Sequence, residues 1–175
     1  QVPGLRALAR VLYYSAGITK VRRPPGGGVY FRAASNTGAL YHVDLYLACR
    51  DLPDLPAGIY HFGPHDFALR RLRDGDYRGA FIEAAGVEPS LAQAPVIVAS
   101  ASTYWRNAWK YRDRAYRHCF WDSGTILANL LAVATGAGVA ARVVQSFVDA
   151  DVDRLLDLDR EREGSLGLVA LGSGC

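Results

Sequence analysis

Four arginines, one lysine and two tyrosines fall within twelve residues, from Arg106 to Arg117. Inside that run Lys110 and Tyr111 are adjacent, an amine beside a phenol. Groups of this kind accept and return protons when their surroundings tune them. The guanidinium groups of Arg106, Arg112, Arg114 and Arg117 suit an anion, above all a phosphate that takes two parallel hydrogen bonds. A stretch of small and apolar residues, Phe120 to Val139, follows at once. Cations and phenols therefore stand against the end of a buried helix, where an anionic cofactor and a proton-transfer step are both served. Alternating cations and aromatics also suit a single nucleic-acid strand. That reading is disfavoured, because the basic charge is confined to one segment and no nucleic-acid motif accompanies it. A plain solvated surface is the third reading.

Composition sets the frame. The chain has 175 residues, half of them hydrophobic in type, which suits one globular domain able to bury a core. The net charge of +3 is mild and says little about partners. The apolar run from Ile126 to Val139 is too short to span a bilayer and contains Asn129 and Thr135. Cys49, Cys119 and Cys175 are odd in number and lack metal-type spacing, so they read as reduced thiols of a cytoplasmic protein. His61 and His65 are four apart, but Gly63-Pro64 between them forbids a helix, and no metal site is expected.

The elements that must position the Lys110–Tyr111 pair follow from periodicity and punctuation. Residues 4–16 carry Leu5, Leu8, Val11 and Leu12 at helical spacing, and Gly17 ends them. Residues 22–28, Arg-Arg-Pro-Pro-Gly-Gly-Gly, form a loop. Ser35-Asn36-Thr37-Gly38 is a tight turn or helix start. Strands are predicted over 43–50, 95–100, 141–147 and 166–171, with a hairpin of 58–62 and 67–72. Helices are predicted over 77–93 (weakly), 103–113, 120–137 and 149–158. Gly124, Ala128, Ala132 and Gly136 recur every four residues and form a smooth ridge, suited to intramolecular packing or to a dimer contact.

Five blocks, in order, carry a family resemblance. They are Arg32-Ala33-Ala34-Ser35-Asn36-Thr37-Gly38-Ala39-Leu40-Tyr41-His42-Val43-Asp44-Leu45-Tyr46-Leu47, Leu55-Pro56-Ala57-Gly58-Ile59-Tyr60-His61-Phe62, Lys110-Tyr111 with Tyr116-Arg117, Asp122-Ser123-Gly124 through Gly138, and Leu155-Leu156-Asp157-Leu158. Together they resemble SagB-type dehydrogenases, the azoline oxidases of the FMN-dependent nitroreductase superfamily. The similarity is collinear over roughly residues 5–172.

The resemblance implies an α+β nitroreductase-like fold with a mixed, mostly antiparallel sheet flanked by helices. It implies an interlocked homodimer with FMN at the interface. The implied reaction oxidises peptide thiazolines or oxazolines to thiazoles or oxazoles in peptide natural-product biosynthesis. A proton leaves to Lys110 or Tyr111 and a hydride goes to flavin N5, so the cofactor carries the hard step. A lysine base needs burial or neighbouring cations such as Arg106 and Arg112. Ser35, Asn36 and Thr37 are implied contacts of the flavin edge, their alternative role being a helix cap. Arg32 and Arg117 are implied phosphate ligands, the alternative being surface ion pairs. Gln145 and Ser146 stand where relatives place backbone N–H groups against the flavin. Asn129 matches a family amide, although a buried amide satisfied by its neighbours is the commoner case. A cyclodehydratase or peptide synthetase is the implied partner, with no nucleic acid and no membrane.

The departures are Ala34 and His42 for two family prolines, Thr125 for a histidine and Ala128 for a glutamine. The family's N-terminal Arg-x-Ser-x-Arg phosphate grip precedes the first helix. The chain begins at Gln1, too late to contain it, and is expected to be the domain without that segment. Two other readings remain: a catalytically degenerate scaffold of a biosynthetic complex, and a generic NAD(P)H-dependent nitroreductase. The chain has no Gly-x-Gly-x-x-Gly after a strand, so a Rossmann nicotinamide site is not expected.

Overall fold

Apolar residues occupy both faces of three central strands, which obliges helices to cover the sheet on each side. The computed structural model describes residues 2–172. In it β6 (Val96–Ser102) turns Val96 and Val98 to one face and Ile97 and Ala99 to the other. The strand β3 (Val43–Cys49) and the last strand, β8 (Gly164–Leu171), alternate in the same way. One core joins α1 (Leu5–Ala16) to the long helix α5 (Ala115–Gly136), through Leu8, Val11, Leu12 and Leu130. The other lies under α2 (Arg78–Ala84), α3 (Pro89–Gln93) and α6 (Asp149–Leu156), around Phe81, Leu91 and Val152.

The six-stranded sheet runs β5-β4-β3-β6-β8-β7, with β4 (Gly58–Gly63), β5 (Ala68–Asp74) and β7 (Ala141–Val144) completing it. Every pairing in it is antiparallel, so no parallel pair occurs among the described residues. The α+β architecture is therefore the expected one. A separate ribbon, β1 (Ile18–Arg22) with β2 (Val29–Arg32), flanks the predicted glycine loop. The sequence reading gave no strand there, since four of the five residues of β1 are exposed and show no alternation.

Several boundaries differ from expectation, and the predicted helix over 77–93 is two, α2 and α3. α5 begins at Ala115 rather than 120, because Ala115, Cys119 and Asp122 already face inward at helical spacing. β7 ends at Val144, so Gln145 to Phe147 leave the sheet. The predicted helix over 103–113 is α4 (Trp105–Tyr111), closed by a single 3-10 turn at Arg112–Arg114. No helix of the described residues is long and apolar enough to cross a membrane. Cys49 and Cys119 are buried free thiols, and Cys175 lies outside the described residues.

The ridge Gly124, Ala128, Ala132 and Gly136 is exposed along its length. A Cβ added at Gly124 or Gly136 would touch nothing. Intramolecular packing of this ridge is thus not what α5 does: it meets α1 through Ile126, Leu130 and Ala134 instead.

Candidate active site

The turn at 35–41 is strained and held down from several sides. Gly38, Ala39 and Tyr41 have φ of 63°, 53° and 50°, the left-handed region that costs a non-glycine residue about 1–2 kcal/mol. Asn36 Oδ1 accepts the Tyr41 N–H at 2.7 Å. The Asp122 carboxylate of α5 accepts the Thr37 N–H at 3.0 Å and the Thr37 hydroxyl at 2.9 Å. Thr125 Oγ1, one turn along α5, donates to the Ser35 carbonyl at 2.8 Å. The backbone is therefore clamped to the helix rather than left to relax.

His42 completes the clamp. It is fully buried, and its Nε2 lies 2.8 Å from Asp122 Oδ2. A carboxylate has no proton to give, so His42 Nε2–H is the donor. In the neutral ring Nδ1 then accepts from Ser102 Oγ, 2.8 Å away, and Ser102 lies 3.4 Å from Cys119 Sγ. Burial pushes the Asp122 carboxyl up, but the bonds from His42 and Thr37 outweigh it and hold the group below the usual carboxylate range. Burial pushes the Cys119 thiol up, so this cysteine serves as a protonated packing group and not as a nucleophile.

Lys110 and Tyr111 arrive over this turn from the end of α4. A Cβ built on Gly38 would lie 2.5 Å from the Tyr111 hydroxyl and 3.2 Å from Lys110 Nζ. Only glycine therefore lets the pair approach the turn. The Tyr111 ring meets His118 edge-on at 4.6 Å, and His118 Nδ1 is 3.1 Å from Asn107 Oδ1. Asn107 is fully buried and its Nδ2 has no partner among the described residues. After Tyr111 the chain turns sharply, with Arg112 at φ 50°. Gly38→Ala is expected to cost about 1 kcal/mol of stability from the positive φ and to push the Tyr111 hydroxyl aside. Its turnover should therefore fall more than its denaturation midpoint does, a comparison that urea unfolding and a rate measurement settle together.

The remaining predicted site residues divide into two groups. Ser35, Asn36 and Thr37 share the turn with Lys110 and Tyr111. Arg32 lines a small recess together with Ser35 and Asn36, donating from Nη1 to the Val43 carbonyl at 2.8 Å. Arg117 is exposed on the first turn of α5, and Asn129 is half-buried two turns beyond Asp122. Gln145 and Ser146 are not brought to the pair. They follow β7, where the Gln145 amide covers Gly167 of β8. Among the described residues, none of Arg106, Lys110, Arg112, Arg114 and Arg117 has a carboxylate within 4.0 Å, whereas Arg70, Arg71, Arg78 and Arg154 are all paired.

The donor set fits a flavin in kind. Among the described residues Ser35 Oγ and the Asn36 amide nitrogen have no hydrogen-bond partner and suit a neutral, hydrogen-bonding ring edge, and the cations without a carboxylate partner suit a phosphate. Thr37 is already engaged by Asp122 through both its N–H and its hydroxyl. A larger cavity of about 480 Å³ opens between α5 and β8, near Tyr116, Phe120 and Ser165, but none of the predicted site residues lines it. The clamp residues His42, Asp122 and Ser102 were not among the predicted site residues. The signal for them was present, since Asp122 opens one of the family blocks and His42 replaces a family proline.

Comparison with known proteins agrees with the fold. Residues 16–173 match the Nitroreductase family. A nitroreductase-like protein of Methanocaldococcus jannaschii is 26% identical over 168 residues, covering 96% of this chain and 80% of the relative. The microcin B17-processing protein McbC of Escherichia coli is 26% identical over 142 residues, 78% of this chain and 52% of McbC. This chain thus spans about half the length of McbC. Among solved structures, a nitroreductase-like protein from Anabaena variabilis superposes with a TM-score of 0.90 at 30% identity, over 95% of this chain and 34% of that one. The Escherichia coli microcin synthetase McbBCD complex, with truncated pro-MccB17 bound, shares the fold at a TM-score of 0.83 and 21% identity. That match covers 100% of this chain and 65% of the other.

Proposed function

Because the chain belongs to the nitroreductase family, we propose that it is an FMN-dependent oxidoreductase that dehydrogenates thiazoline or oxazoline rings of a peptide to thiazoles or oxazoles. One observation carries this reading: Lys110 and Tyr111 lie over Gly38 of the Ser-Asn-Thr-Gly turn, so two of the blocks resembling SagB-type dehydrogenases share one site. The similarity to McbC, a peptide-processing protein, points to a peptide as substrate.

Bound FMN supplies the hydride acceptor. This chain's own residues do the rest. Lys110 Nζ takes the proton from the ring carbon, and the Tyr111 hydroxyl beside it relays or returns it. Lys110 is exposed in the single chain. A bound peptide or a partner subunit that covers it excludes water from the proton-transfer step. Ser35 and Asn36 hold the ring edge of the cofactor. Gln145 and Ser146 lie apart from them, which an interlocked homodimer resolves by offering one subunit's turn to the other's 145–147 segment. The exposed small-residue ridge of α5 is the natural contact for such a pair. Ala132→Arg, in the middle of that ridge, is expected to convert a dimer to a monomer in size-exclusion chromatography with light scattering, because nothing in the single chain opposes the larger side chain. A cytoplasmic setting and a cyclodehydratase or peptide-synthetase partner complete the proposal.

The experiment that tests it is a visible absorbance spectrum of the purified full-length protein, after FMN addition and desalting, followed by turnover of a thiazoline peptide. Retained flavin bands with thiazole formation support the reading. Absence of both moves the assignment to a non-catalytic scaffold.

A further inference from the structure

A second recess opens beside residues 39–41 of the turn. It encloses about 340 Å³ between the β1–β2 ribbon and α4, and its walls include Ile18, Val29, Leu40, Tyr41, Arg32 and Arg106. Arg32 is fixed in place. Its side chain is only 12% exposed, Nη1 is held by the Val43 carbonyl, and its guanidinium lies 5.4 Å from the Tyr41 ring centre. Its Nη2 stands 3.7 Å from Asp44, too far for a hydrogen bond. Arg106 enters from α4 and has no carboxylate partner among the described residues. Burial, offset in part by Asp44 and reinforced by Arg106, holds Arg32 below the ordinary arginine range. Two guanidinium groups thus line one recess, Arg32 in an ion pair with Asp44 and Arg106 without a carboxylate among the described residues, and an anion relieves their repulsion.

We infer that this recess anchors a carboxylate of the peptide substrate, one or two residues along the chain from the ring that Lys110 serves. The inference rests on the peptide-oxidase reading above and names a feature of its substrate. Arg106 and Lys110 are four apart on α4, so their side chains stand on one face about 6 Å apart. An extended peptide advances about 3.3–3.6 Å per residue, which sets the one- or two-residue offset. Asp44, paired with Arg32, repels a dianion at that guanidinium more than a monoanion. A peptide carboxylate is therefore favoured over the phosphate of FMN, the other source of an oxyanion at this site.

The test uses two thiazoline peptides that differ only in Asp or Asn beside the ring, each carrying a neutral fluorophore. Binding to the FMN-loaded protein is read by fluorescence anisotropy, without turnover. The native protein should bind the Asp peptide about tenfold more tightly. Arg106→Gln should erase that preference and Arg106→Lys should restore part of it. Arg106 is exposed, so the variants should unfold at the native temperature. Equal binding of the two peptides by the native protein, or no binding of either, overturns the inference, as does a preference that survives Arg106→Gln. Loss of FMN retention in Arg106→Gln with the peptide preference intact assigns the recess to phosphate and also overturns it. A preference that follows Arg106 in a protein that never oxidises the ring upholds the subsite and sinks the oxidase reading instead.

Discussion

Lys110→Ala is expected to lower thiazoline turnover by about 100-fold or more, the loss typical of removing a positioned acid–base group. The effect should fall on the rate and not on the fold, since Lys110 is exposed and its ammonium lies 5.3 Å from the Tyr111 ring centre. Retained flavin absorbance together with lost activity is the outcome that assigns the lysine to chemistry. Tyr111→Phe keeps the edge-on contact with His118 and removes only the hydroxyl. If the two side chains act as one relay, the double variant should be little worse than Lys110→Ala alone. Single-turnover kinetics measured on all three proteins read this directly. Undiminished turnover in Lys110→Ala would remove the pair from the mechanism.

The second large effect is on stability. Asp122→Ala deletes the acceptor for three donors: the Thr37 amide, the Thr37 hydroxyl and the His42 ring. Those donors sit in or beside a buried pocket, where lost partners are costly. A loss of about 3 kcal/mol is expected, in the range seen when one member of a buried pair is removed. Urea unfolding measures it. The pH dependence has a definite sign. The native Asp122 carboxyl lies below its ordinary value, so the unfolded state binds its proton first as pH falls. Its stabilising contribution is fully present above the ordinary carboxylate range and is lost as pH drops through the lowered native value. Asp122→Asn should therefore flatten part of the acid limb of the stability curve. An unchanged limb would show that Asp122 titrates alike in both states.

Much of the fold was legible because its signals are local. Leu8, Val11 and Leu12 mark α1, Gly17 stops it, and the Gly63-Pro64-His65-Asp66 turn marks the hairpin. The β1–β2 ribbon was missed because its residues are mostly exposed and leave no alternating pattern to detect. The candidate site was legible in its residues but not in its grouping. Lys110, Tyr111 and the 35–38 turn stood out as types and spacing, and they do meet. Gln145 and Ser146 stood out equally and do not join them in one chain, since a linear pattern does not say which subunit completes a site. His42 and Asp122 stood in the sequence as a departure and a block opener, but their pairing was not legible, for a different reason. A buried histidine and a carboxylate at the head of an apolar helix look like ordinary core polar residues until the fold places them 2.8 Å apart.

The clamp on the turn has a consequence for how the protein folds. Thr37 and Asp122 are 85 residues apart in sequence, and His42 and Asp122 are 80 apart. Closing a loop of that length costs about 4 kcal/mol of chain entropy, and contacts of high sequence separation come late in folding. Before α5 docks, the strained turn has its own short-range bonds, such as the Tyr41 N–H to Asn36 Oδ1, but not the clamp from Asp122 and Thr125. Reactive geometry therefore belongs only to the finished chain, and a nascent or half-folded molecule carries the same lysine and tyrosine with nothing to aim them at.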